Sequence, residues 1–244
     1  WWGAVASADP SKEDRGASLC VAFSPDGLHW VPWQNNPVLA GVDDIVDGYW
    51  DPIRQRYGVF FKSHAQAEDG YTRGSRAGGA FRRLVSASIS QDFIAWSRPW
   101  RVLMPEPRDE GQLEFYSVGG TIARGGLLIG FARMLHDDYP ANEGGEPDRA
   151  VPGSTPTSGI GYATLVTSRD GVHWLREDGD RPPILAPSPN RSWEHGMVTV
   201  SSLLVVGDQM RLYYSGYDGL HDYLPFHSAI GLATRGLVFR LVRS

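Results

Sequence analysis

Lysine is almost absent from this sequence: Lys12 and Lys62 stand alone, and arginine supplies the remaining positive charge. Acidic residues outnumber basic ones by 28 to 23, for a net charge of −5. A basic stripe able to neutralise a phosphate backbone is missing, so no nucleic-acid partner is expected. Cysteine is as scarce, and with Cys20 alone an internal disulfide is excluded. No apolar run approaches the ~18 residues that a membrane-spanning helix needs, and no membrane partner is expected. HExxH zinc spacing, phosphate-cradling glycine loops and the GxSxG nucleophile elbow are also missing. A serine or cysteine nucleophile has no support, and no metal or other cofactor is indicated. Helical periodicity is nowhere sustained.

Aromatic residues and chain reversals stand in place of these features: nine Trp, ten Tyr and nine Phe, with 29 Gly and 17 Pro. Such a composition suits short strands and frequent turns. A hydrophobic content of 41% is enough for a sizeable core.

The strands recur. Ser24-Pro25-Asp26-Gly27-Leu28-His29-Trp30 returns as Ser168-Arg169-Asp170-Gly171-Val172-His173-Trp174, with a degenerate copy at Ser90-Gln91-Asp92-Phe93-Ile94-Ala95-Trp96. Each copy follows a β-like segment, at Leu19–Phe23, Leu84–Ile89 and Ile160–Val166; a fourth segment, Ala229–Thr234, runs into Arg235-Gly236. Asp-Gly marks a hairpin, because glycine accepts a positive φ at no steric cost. The Trp that follows is placed to pack between neighbouring sheets. In phase with these hairpins come pairs of apolar and aromatic strands: Ile45–Trp50 with Tyr57–Phe61, Phe115–Ala123 with Leu127–Phe131, and Met197–Val206 with Gln209–Tyr214. Trp1–Ala6 matches only the second strand of such a pair. The pattern predicts an all-β chain, a β-propeller of four-stranded antiparallel blades, with half a blade followed by three whole ones. Polar stretches at Pro10–Ala17, Ala65–Gly79 and Asp137–Ser158 read as loops.

The SxDGxxW hairpin, the inner strands Asp47–Trp50 and Tyr57–Lys62, and the closing Ile230–Arg235 resemble the five-bladed propellers of the furanosidase superfamily. These are the invertase-like and arabinanase-like glycoside hydrolases, families 32 and 43, and relatives that include phosphorolytic mannosidases. The Asp-Gly-x-x-Trp turn is also similar to the sialidase Asp-box, although it is shorter here and those propellers have a sixth blade. The resemblance implies one propeller domain over residues 1–244, of about three and a half to four blades. The first innermost strand, which carries an Asp in such families, would lie before Trp1. An N-terminal segment is therefore expected to be missing, and the chain is not expected to close a five-bladed ring alone.

The same resemblance implies a glycosidase acting on a carbohydrate substrate. Its acid and base would be Glu114 and Asp47, each opening an innermost strand. Glycosidic cleavage needs one protonated and one ionised carboxyl group. Glu114 lies among Leu113, Phe115 and Tyr116, apolar surroundings of the kind that keep a carboxyl protonated. Asp44 or Asp43 stands close enough in sequence to take the part of Asp47. Substrate contacts are expected from Asp44, Trp50, Tyr116, Arg133, His136, Trp193, Glu194 and His195. Lys62 and His64 read either as a funnel rim or as an ordinary surface pair, and Tyr217, Asp218 and His221 follow the last aromatic strand, where a loop is expected to line the pocket. A phosphorolytic enzyme and a non-catalytic carbohydrate-binding propeller remain as alternatives.

Overall fold

The computed structural model describes residues 2–6, 17–66, 81–106, 109, 113–136, 159–177, 183–188, 190, 192–221 and 227–236. Of the three stretches read as loops, Ala17, Ala65 and Gln66 are strand residues and the rest lie outside the described residues, as does Trp1. Among the described residues the chain is all β apart from one 3₁₀ turn at Ser192–Glu194.

Four antiparallel units follow one another. In unit I, β1 (Trp2–Ala6) pairs with β2 (Ala17–Phe23), which also carries the short β3 (Val31–Pro32) and β4 (Leu39–Ala40). Unit II is the meander β5 (Val46–Asp51), β6 (Arg56–Gln66), β7 (Phe81–Ser90) and β8 (Trp100–Leu103). Unit III repeats it with β9 (Leu113–Arg124), β10 (Leu127–His136), β11 (Ile160–Ser168) and β12 (Leu175–Arg176). Unit IV is β13 (Met197–Val206), β14 (Gln209–Tyr217) and β15 (Ser228–Gly236). A parallel pair, Gly161 with Met197, links units III and IV at their edges. The first strands of units II, III and IV converge, since β9 touches both β5 and β13. The arrangement is propeller-like.

Strand alternation explains how the units pack. Register places Asp47, Tyr49, Phe60, Lys62, His64, Arg83, Val85 and Ala87 on one face of unit II. The lower part of that face, Tyr49, Phe60, Val85 and Ala87, is buried against Phe115, Val118, Leu128, Met134 and Trp174 of unit III. The opposite face, with Val59 and Phe61, packs on Leu19 and Val42. Phe131 and Ala163 meet Val200, Leu203 and Leu212 between units III and IV.

The Asp-Gly hairpins are turn devices. Asp26 Oδ1 accepts from the Leu28 and His29 N–H groups at 2.8 and 2.9 Å, and Asp170 Oδ1 from Val172 and His173 at 2.8 and 2.7 Å. Trp174 wedges between units II and III, its ring centroid 5.0 Å from that of Phe60. Trp30, expected to pack likewise, stays partly exposed.

Candidate functional site

The face of unit II changes from apolar to charged towards the start of β5. Phe60 is followed at two-residue steps by Lys62 and His64, and Val85 is preceded by Arg83. Opposite them β9 begins with Glu114 and Tyr116. A β-bulge sits here: Ser117 pairs with Arg133 and Phe115 with Met134, leaving Tyr116 as the extra residue. Bulges re-aim a side chain out of the strict alternation.

The side chains then meet. Lys62 Nζ forms an ion pair with Asp44 Oδ1 and lies 3.7 Å from Asp43 Oδ2, while His64 Nε2 is 3.3 Å from that same oxygen. Arg83 Nη1 donates to Glu114 Oε2. Lys62 and Arg83 both lie against the Tyr116 ring, 5.4 and 5.2 Å from its centroid, a cation–π arrangement. Tyr116 Oη is 3.0 Å from His221 Nε2, and the backbone N–H of His221 donates to Gly159 at 3.0 Å. Residues of units II and III, with His221 from beyond β14, thus form one cluster at one end of the inner strands.

Burial divides the carboxyl groups. Glu114 is 0% exposed, its Oε1 has no hydrogen-bond partner, and its neighbour in space is the Arg83 guanidinium. The apolar neighbours it has in sequence therefore do not describe its surroundings. Asp44 is 69% exposed on its side chain. Burial is the largest single influence on this carboxyl and opposes its ionisation, but the hydrogen bond and charge of the Lys62 ammonium, with smaller help from Asp43 and Arg83, together hold it below its ordinary value. Burial also pushes the His64 imidazole down, against the opposing charge of Asp43.

Asp47 lies deeper along β5. Arg133 Nη2 donates to its Oδ1 at 2.8 Å, and its Oδ2 is buried without a hydrogen-bond partner. Burial pushes the Asp47 carboxyl above its ordinary value, although Arg133 pulls the other way. The Ser117 hydroxyl is near enough to pull likewise, without the geometry of a hydrogen bond. Arg133 Nε donates to the Val200 carbonyl at 2.8 Å. A single guanidinium therefore joins units II, III and IV.

The remaining candidates make other contacts. Trp50 is at the turn end of β5, tilted against Tyr57 with centroids 4.7 Å apart, far along the strand from Asp44. Trp193 and Glu194 belong to the 3₁₀ turn rather than to an opening strand. Trp193 stacks on Tyr214, and Tyr214 Oη donates to Glu194 Oε2 at 2.6 Å. His195 is exposed beside them, and His136 closes β10 opposite Leu113. Arg83 escaped the sequence reading. Its signal is a charged residue at the position that alternates with Val85 and Ala87 on a core-facing strand.

No protein-family model matches the chain, and no curated protein matches it in sequence. Solved structures do match in fold. A glycoside hydrolase superposes over 93% of this chain with a TM-score of 0.57 at 14% identity. An N-acetylgalactosamine deacetylase from F. plautii, in complex with blood group B trisaccharide, covers 91% with a TM-score of 0.59 at 18% identity. A β-1,2-mannobiose phosphorylase from Listeria innocua covers 91% with a TM-score of 0.56 at 14% identity. The chain spans 59%, 65% and 52% of those three proteins. At these identities the likeness is one of fold.

Proposed function

We propose that the chain is a single propeller domain of the five-bladed type, about three and a half to four blades of it, in an enzyme that cleaves a glycosidic bond of a carbohydrate. The observation that carries this reading is the pair Asp44 and Asp47, whose surroundings push ionisation in opposite directions. Two carboxyl groups separated in this way are an acid and a base in waiting. Asp47, whose carboxyl burial pushes above its ordinary value, gives its proton to the glycosidic oxygen as the bond to the sugar carbon breaks. Asp44, kept ionised by Lys62, takes a proton from the water that attacks that carbon. Glu114 supports the site by holding Arg83 in place, and Arg83 and Lys62 occupy the Tyr116 ring. That ring is then part of the scaffold and not a stacking platform for sugar. The fold shared with carbohydrate-active enzymes agrees with the reading.

The test is a hydrolysis screen on furanoside and pyranoside oligosaccharides. With a substrate in hand, Asp47→Asn and Asp44→Asn are each expected to lower kcat by about 10²–10⁴-fold. Glu114→Gln is expected to act mainly on stability, since it leaves the Arg83 charge buried without its partner. Full activity in Asp47→Asn would overturn the assignment, and no hydrolysis of any glycan would overturn the function.

A further inference from the structure

A carboxyl that donates a proton from a buried position has a second task, because the carboxylate left behind must be stabilised. Burial opposes that anion, and Arg133 is the charge that faces it. The route by which Arg133 reaches it is unusual. Arg133 stands on β10, on the same face as Phe131, which packs against unit IV. Asp47 belongs to unit II, on the other side of β9. The guanidinium reaches it by crossing the inner strand at Gly119. A Cβ added at Gly119 would lie 3.2 Å from Arg133 Nη2, 3.3 Å from its Nε and 2.5 Å from the Val200 carbonyl oxygen. Any larger residue there closes the passage.

The orientation is set as well as the reach. The Nε–H of Arg133 is spent on the Val200 carbonyl at 2.8 Å, which fixes the plane of the guanidinium. In that plane Nη2 meets Asp47 Oδ1 at 2.8 Å. Asp47 is left with Oδ2, itself buried, as the oxygen without a hydrogen-bond partner that can carry the proton. A lysine ammonium is a point charge and cannot hold two such partners in one plane.

Building on the assignment of Asp47 as proton donor, we infer that Arg133 is its positioning residue and that Gly119 is the opening through which it acts. The sequence suggested a sugar ligand in Arg133. Its geometry instead assigns both observed hydrogen bonds to the protein. Arg133 leaves the proton on Oδ2, then stabilises the carboxylate once the proton has gone to the leaving oxygen.

The experiment needs no substrate for its first arm. Carbon-detected NMR of protein carrying ¹³C-labelled Asp carboxyl groups follows the titration of Asp47, assigned by its loss in Asp47→Asn. In Arg133→Met the Asp47 midpoint is expected to rise by about one to three pH units. Arg133→Lys is expected to restore part of that shift, and Gly119→Ala to reproduce the direction of Arg133→Met with Arg133 still present. Circular dichroism selects the variants that fold. An unmoved midpoint in folded Arg133→Met or Gly119→Ala overturns the inference. The second arm uses the substrate found by the hydrolysis screen. Arg133→Lys is expected to lower kcat and shift the basic limb of the pH profile, with KM unchanged. A raised KM with an unshifted limb would make Arg133 a substrate ligand and overturn the inference. A shifted NMR midpoint with full activity in Asp47→Asn would retain the Arg133–Asp47 linkage and reject Asp47 as donor.

Discussion

Desolvation acts on the Asp47 carboxyl against the Arg133 charge and the nearby Ser117 hydroxyl, and desolvation prevails. The consequence for stability has a definite sign. The folded-state value lies above the unfolded value of about 3.9. Stability contributed by the protonated group is complete below that unfolded value and is lost as pH rises through the folded one. Asn at this position cannot ionise, so Asp47→Asn lacks the dependence. Thermal unfolding of both proteins from about pH 4 to pH 8 should show the Tm difference, wild type minus variant, falling as pH rises. A difference that grows with pH would mean that the Arg133 charge prevails. Asp26 and Asp92 titrate in the other direction, held low chiefly by backbone N–H groups of their own turns. Their contribution is lost as pH falls, but both proteins share it and it cancels.

Among the elements, the repeated hairpins carry their own comparison. Gly27 and Gly171 take φ values of 76° and 71°, and Phe93 takes 67° at the equivalent place in the degenerate copy. A Cβ at Gly27 meets nothing within 4 Å, so Gly27→Ala should cost only the backbone strain, about 1–2 kcal/mol. At Gly171 the same Cβ lies 2.6 Å from Arg56 Nη2, which donates to the Asp170 carbonyl. Gly171→Ala is therefore expected to be the more destabilising in urea unfolding. Phe93 tolerates its strained φ because its ring contacts Phe23, Tyr57 and Trp96, with centroids at 6.3, 5.0 and 5.6 Å. Ala at position 93 keeps the strain and loses the ring, whereas Gly loses both. Phe93→Ala should fall below Phe93→Gly by about 1 kcal/mol, with both below wild type. Equal stabilities would show that the backbone relaxes at this turn.

For the whole molecule, the core between units II and III is the joint beneath the site. Phe115 is fully buried in it, one residue from Glu114 and Tyr116. Phe115→Ala should cost about 3–5 kcal/mol. Because the ring packs against both units, amide protection should fall in β6, β7 and β10 together, as hydrogen exchange would show. Loss confined to unit III would mean that the units unfold independently.

The order of strands was readable from the chain itself. Met197–Val206 was bounded correctly, and the segments read at 45–50, 84–89 and 160–166 fall on β5, β7 and β11 with small shifts at the ends. Period-two alternation and Asp-Gly turns are local properties, so they survive without knowledge of the neighbours. The family resemblance, laid over those strands, brought Asp44, Asp47, Glu114 and Tyr116 into view at the starts of inner strands. Local pattern says which face a side chain takes, but not what lies opposite. Glu114 looked apolar in its surroundings until packing set Arg83 against it. Trp50 looked like a funnel residue until the register put it at the turn end of β5. Arg133 reaches Asp47 only because β9 has a glycine where the two units approach, and His221 meets Tyr116 across 105 positions. Such pairings belong to the tertiary structure, since contacts between units depend on how whole sheets stack and not on the residues beside them in the chain.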